Sequence, residues 1–191
     1  IALLASGEVG CAVGIAITKS KHDLVAVVYP PPKPAGRGRM LCLCPVGSWS
    51  KEKGHLCIET KSIKKDEAAW QAIFDLKPDI IVTADFGQFV PDDVIDFPNL
   101  GCINVHPSLL PTYRGAAPIN YAILNGDKKT GVTILYVTDE LDAGDIILQE
   151  ETLVNDSETT PELETRLARI GGELIVKAID NLVNGTATRA P

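Results

Sequence analysis

The sequence predicts an α/β fold with a mostly parallel central sheet, finished by a C-terminal hairpin and helix. Three observations carry that expectation. Short apolar runs alternate with helically spaced segments over the first hundred residues. The run "PDIIVTADF" (78–86) is apolar without alternation, as strands covered on both faces are. Residues 160–185 then hold one long amphipathic pattern. The 191 residues fit a single domain, 1–191, long enough to bury roughly two thirds of its unfolded surface.

Taken in order, "IALLAS" (1–6) is a strand closed by Gly7, and "GCAVGIAITKS" (10–20) is a crossover helix of small residues packed closely on its neighbours. "DLVAVVYP" (23–30) is the next strand, ended by Pro30, Pro31 and Pro32. In "PPPKPAGRGRM" (30–40) four prolines and two glycines surround the basic residues, which predicts a loop that continues neither element. "KKDEAAWQAIFDL" (64–76) spaces Ala68, Trp70, Ile73, Phe74 and Leu76 as a helix does. Strands follow at 78–86, 100–105, 131–138 and 145–154, with a helix at 116–126 closed by Gly126; the last two strands form a hairpin through 138–144. Thr160 is a good N-cap with Pro161 at the first helical position, and Leu163, Leu167, Ile170, Leu174, Ile175, Ala178, Ile179 and Leu182 define a helix ending near Asn184 and Gly185.

Composition narrows the function classes. A charged fraction of 23% and a hydrophobic fraction of 45% are ordinary globular values, and no apolar run approaches the ~20 residues of a membrane span. Five cysteines, an odd number with Cys11 and Cys102 in apolar surroundings, read as free thiols, so a cytoplasmic protein is expected. The chain starts at Ile1 inside a strand, so residues ahead of it are expected. A net charge of −7 excludes non-specific attraction to nucleic acid, yet no acid occurs between Asp23 and Glu52 while Lys33, Arg37, Arg39 and Lys51 do. Affinity for a polyanion would be local to that stretch. Cys42, Cys44, His55 and Cys57 offer four zinc ligands, but their spacing is not that of a zinc knuckle, and no metal is expected.

The segment "GCINVHPSLLPTYRGAAP" (101–118) carries the chemistry. Asn104 and His106 stand two apart at the end of a strand and so share a face, at the carboxyl edge where ligands bind open α/β sheets. An amide donor beside an imidazole can stabilise a developing oxyanion; the bland alternative is a turn cap and a histidine bonded to its neighbours. In "ELDAGDI" (140–146) Asp142 sits in a tight turn between the last two strands. There it can orient His106, favour its protonated form and help deprotonate a nucleophile.

"NVHPSLLPTYRGAAP", followed by "LDAGD" with Asp142 38 positions after Asn104, resembles the signature of the 10-formyltetrahydrofolate-dependent formyltransferases over essentially the whole chain. The resemblance implies a Rossmann-like formyltransferase fold and Asn104, His106 and Asp142 as the catalytic set. It further implies that 10-formyltetrahydrofolate, the co-substrate, is held by the loop Phe86, Gly87, Gln88, Phe89, Val90 and Pro91 and by Thr138, Asp139 and Asp142. Asp85, ahead of that loop, stands where an uncharged residue is common in relatives.

Within the family, "PAGRG" (34–38) and "RGAAPI" (114–119) are similar to the branch that formylates methionyl-tRNA, where the basic loop 33–39 reaches the tRNA acceptor end. That branch carries a further C-terminal tRNA-binding domain, which is not expected within residues 1–191. Substrate contacts are expected from Ser6, Gly7, Arg37, Arg39, Ser108, Arg114 and Gly115. "VTDELDAG" (137–144) is also similar to the glycinamide ribonucleotide branch, and sugar N-formyltransferases and a formate-releasing hydrolase share the same three residues. A folate-binding module without turnover would have lost one of the three, and none is lost.

Overall fold

A computed structural model describes residues 1–36 and 38–190. The first half runs β1 (Ala2–Ala5), α1 (Glu8–Lys19), β2 (Ala26–Tyr29), β3 (Lys33–Ala35), β4 (Met40–Cys42), α2 (Pro45–Glu52), β5 (Cys57–Glu59), a 3₁₀ turn (Ile63–Lys65) and α3 (Glu67–Asp75). The second runs β6 (Ile81–Ala84), α4 (Asp92–Ile95), β7 (Cys102–His106), α5 (Pro118–Leu124), β8 (Lys129–Tyr136), β9 (Ile146–Leu153) and α6 (Thr160–Val183).

Seven strands form one sheet in the order β5-β2-β1-β6-β7-β8-β9. The first five are parallel, and β8 and β9 complete the edge as an antiparallel hairpin. The two-residue period of a strand divides the core into two layers. Leu3, Ala5, Val27, Val82, Ile103 and Val105 face α1 and α6, while Ala2, Leu4, Val28, Ile81 and Cys102 face α3 and α4. Both faces are covered, which is why these strands read as unbroken apolar runs. Helices α1 and α6 approach closely because Gly172 has no side chain: a methyl group there would lie 3.0 Å from the Ala12 carbonyl oxygen.

Two expectations change. The stretch 30–40 is not a plain loop, since β3 and β4 pair as an exposed antiparallel hairpin in which Pro34 stands opposite Leu41. A two-stranded ribbon leaves outward N–H positions unpaired, so proline is admissible there. The α6 cap is Thr159, not Thr160. The Glu162 carboxylate accepts from the Thr159 N–H at 2.8 Å and from its hydroxyl at 2.7 Å, drawing the first turn one residue earlier. Helices α2 and α4 and strand β5 have no counterpart in the sequence reading. Among the described residues no helix is long and apolar enough to cross a membrane.

Candidate functional site

Asn104 and His106 occupy alternate positions at the carboxyl end of β7, so both side chains leave the same face. Thr83 is the register partner of Asn104 on β6, and its hydroxyl donates to Asn104 Oδ1 at 2.8 Å. With the amide oxygen taken, Nδ2 turns to Asp142, whose Oδ1 it meets at 3.3 Å. Asp142 arrives from the β8–β9 connection with a left-handed backbone, φ +48°.

His106 is 4% exposed. Its Nε2 lies 2.9 Å from the Tyr113 carbonyl oxygen, which can only accept, so Nε2 carries a proton. Nδ1 lies 3.5 Å from Asp142 Oδ2, and the same oxygen accepts the Gly115 N–H at 2.8 Å. One carboxylate thus ties together the Asn104 amide, the His106 ring and the loop that follows β7. That loop is held from its far side: Tyr113 donates its hydroxyl to Asp127 at 2.6 Å, accepts from Asn125 at 2.8 Å, and stacks on Tyr121.

These side chains open onto a cavity of about 560 Å³. Phe86, Gly87, Gln88, Phe89 and Val90 form one wall, and Thr138, Asp139 and Asp142 another; Pro91 lies outside the wall as the N-cap of α4. Gln88 braces its loop, with Oε1 accepting from the Ile63 N–H at 2.7 Å and Nε2 donating to the Thr60 carbonyl at 3.3 Å. Phe89 is exposed, with the Lys64 ammonium 4.9 Å over its ring. A second cavity, of about 430 Å³, opens beside Leu100, Cys102 and Tyr136 at the other end of β7 and is lined by none of Asn104, His106 and Asp142.

The residues expected to meet an acceptor substrate are scattered. Gly115 lies in the cavity wall. Ser108 is buried and away from it, donating to the Thr112 carbonyl at 2.6 Å and accepting from the Thr133 hydroxyl at its own carbonyl. Arg114 is exposed outside the wall. Ser6 donates its hydroxyl to the Asp85 carbonyl, and Gly7 is the N-cap of α1. Arg39 is exposed in the β3–β4 turn, where its N–H donates to the Gly36 carbonyl; Arg37 lies outside the described residues.

Thr83 and Asp85 also line the cavity, and neither was expected as a site residue. For Thr83 the signal was a hydroxyl in the otherwise apolar run of β6. Desolvation raises the Asp85 pKa to about 6, with Glu164 and Glu8 adding to it, against the pull of the Val9 and Gly10 N–H groups. Burial raises the Cys102 thiol far above its usual range, so it offers no thiolate nucleophile. Two other thiols have structural partners: Cys44 Sγ accepts from the Gly47 N–H to cap α2, and Cys57 Sγ donates to the His55 carbonyl. Among the described residues no group of three or more His, Cys, Asp or Glu is placed to hold a metal ion.

Residues 1–179 match the family model described as formyl transferase. The chain is 43% identical over 175 residues to the methionyl-tRNA formyltransferase of Syntrophus aciditrophicus strain SB, covering 92% of this chain and 56% of that protein. It is 44% identical over 165 residues to that of Bacillus mycoides strain KBAB4, covering 86% and 52%. The chain therefore spans about half the length of the curated relatives it matches. The crystal structure of phosphoribosylglycinamide formyltransferase from Bacillus halodurans superposes with a TM-score of 0.78 at 24% identity, over 95% of this chain and 94% of that one.

Proposed function

The chain belongs to the formyl transferase family, and from that premise we propose that it transfers a formyl group from 10-formyltetrahydrofolate to the amino group of methionyl-tRNA. The observation that carries this reading is the convergence of Asn104, His106 and Asp142 on one cavity mouth. The likeness to methionyl-tRNA formyltransferases and the basic residues of the exposed hairpin favour methionyl-tRNA as the acceptor.

The cavity falls in the roughly 300–1,000 Å³ range of small-molecule sites. Phe86, Val90, Leu135 and Val137 offer apolar contact to a flat ring system, and the backbone of 86–90 and 138–142 offers hydrogen-bonding groups at its edge.

In the transfer, the acceptor amine adds to the formyl carbon. A carbon–nitrogen bond forms and the carbonyl electron pair moves to oxygen. Asn104 has one Nδ2 hydrogen not committed to Asp142, and it donates to that oxyanion. His106, as imidazolium, donates to Tyr113 through Nε2 and faces Asp142 through Nδ1, so its positive charge is fixed at the cavity mouth. Asp142 takes the proton from the attacking nitrogen, directly or through one water. Collapse of the intermediate returns the oxygen pair and breaks the bond to folate N10, which leaves with the proton that Asp142 took up, so the carboxylate is restored. Lys33 and Arg39 on the exposed hairpin, with Arg37 between them in sequence, pair with phosphates near the tRNA acceptor end.

Formyl transfer from radiolabelled 10-formyltetrahydrofolate tests the reading, with methionyl-tRNA and glycinamide ribonucleotide offered in parallel and formate release followed as a third readout. Label on methionyl-tRNA supports it. Label on glycinamide ribonucleotide or formate alone overturns the acceptor while keeping the chemistry of Asn104, His106 and Asp142.

A further inference from the structure

We propose that Asp85 is a specificity-determining residue: an internal anion seated at the start of α1, on the cavity wall, that excludes acceptor amines carrying a phosphate at that wall. The first turn of a helix presents unpaired N–H groups and partial positive charge, to which phosphates bind readily. Here the protein's own carboxylate is already there. Asp85 Oδ2 accepts the Val9 N–H of that turn at 3.1 Å.

The surrounding residues are shaped to admit it. A methyl group on Gly7 would stand 2.7 Å from Asp85 Oδ2, so only glycine lets the carboxylate reach the helix. Ser6 donates its hydroxyl to the Asp85 carbonyl and ties the two loops together. Asp85 holds a left-handed backbone, φ +49°, uncommon for a residue other than glycine or asparagine.

Among the described residues no salt bridge reaches Asp85, and the charged groups that act on it, Glu164 on α6 and Glu8 on α1, are also acidic. A phosphate at this wall meets the Asp85 carboxylate, on which Glu164 and Glu8 also act, and finds the Val9 N–H taken. An aminoacyl group whose nearest phosphate lies far from the amine meets no such conflict. The substrate part of this inference rests on the formyl-transfer reading; the anion part does not.

The test is a sulfate titration of the full chain, followed by the backbone amide signals of Val9 and Gly10, in the wild type, Asp85→Gly and Asp85→Asn. Both replacements suit φ +49°. Glycine empties the position, while asparagine keeps a plug without the charge. The wild-type signals should stay in place, and the glycine variant should bind sulfate at least about ten-fold more tightly, with asparagine between them. Equal titrations in wild type and glycine variant overturn the proposal. If the glycine variant does not fold, the asparagine variant decides it alone by the same comparison.

A second arm measures kcat/KM for glycinamide ribonucleotide over that for methionyl-tRNA. The ratio should rise at least about ten-fold in Asp85→Gly. A wild type that already uses the phosphorylated amine as well as methionyl-tRNA overturns the inference. A wild type that formylates neither overturns the acceptor reading instead, and the sulfate arm then decides the anion claim by itself.

Discussion

The Thr83 hydroxyl donates to Asn104 Oδ1 at 2.8 Å across paired positions of β6 and β7. That bond decides which end of the amide faces the cavity, because an oxygen already accepting from Thr83 leaves Nδ2 as the free end. Thr83→Val keeps shape and β-branching but removes the donor, so the amide is free to turn its oxygen toward the developing oxyanion. Turnover should fall about ten-fold while folate affinity stays within about two-fold. Thr83→Ser should restore most of the rate. A valine variant with wild-type turnover would show that the Asn104 orientation is set elsewhere.

Removing either oxyanion partner should cost far more than disturbing its support. Asn104→Ala or His106→Ala is expected to lower turnover by roughly two to three orders of magnitude, with folate binding nearly kept. Single-turnover rates and fluorescence binding of the folate separate the two quantities. A loss below about five-fold for either variant sinks its assignment.

Asp142 serves three partners at once, so its charge and its shape can be tested apart. Asp142→Asn tolerates φ +48° and retains an acceptor for the Gly115 N–H, but it cannot take a proton from the nucleophile or face His106 as an anion. Turnover should fall by at least about two orders of magnitude with the melting temperature within a few degrees of wild type. A large drop in melting temperature would assign Asp142 chiefly to holding the loop.

The sequence made the site legible where chemistry and periodicity coincide. Asn104 and His106 had to share a face because strand side chains alternate, and the run up to Val105 had to be a strand covered on both sides. Asp85 was visible as an oddity, but its partner was not, since bonding to Val9 brings together residues 76 positions apart. Short elements were illegible for a related reason. Strand β5 is three residues long, and α2 begins on a cysteine cap and carries Gly47 against the Tyr29 ring, so tertiary packing outweighs weak local preference in both. The β3–β4 hairpin was hidden by prolines that an interior strand would exclude and an exposed ribbon accepts.

The exposed hairpin gives the tRNA reading an electrostatic signature. Each phosphate paired with a guanidinium releases a counterion, so binding weakens with salt in proportion to the number of such pairs. Replacing Arg37 and Arg39 together with alanine should raise KM for methionyl-tRNA and reduce the salt slope by about one per lost contact. The folate affinity of the same variant should stay unchanged. A salt slope equal to wild type would remove the hairpin from the tRNA interface.

Stability in acid should depend on the pair that fastens the β9–α6 connection. Arg166 grips Glu158 with two nitrogens, at 2.9 and 2.7 Å, and also donates to the Leu153 carbonyl at 2.6 Å. The Arg166 guanidinium, helped by the Asn155 N–H, holds the Glu158 carboxyl below its usual 4.5. A carboxyl depressed in the folded state binds fewer protons there than in the unfolded chain. Its stabilisation is therefore complete above the usual carboxylate range and disappears as pH falls through the lowered value. Glu158→Gln should lower the melting temperature by about 2–4 °C at neutral pH, since a bidentate pair partly open to solvent contributes about 1 kcal/mol. As pH falls through that lowered value the difference should shrink toward zero, because wild-type Glu158 is then protonated as well. A difference independent of pH would mean that shape and hydrogen bonding at Glu158, not its charge, hold the connection.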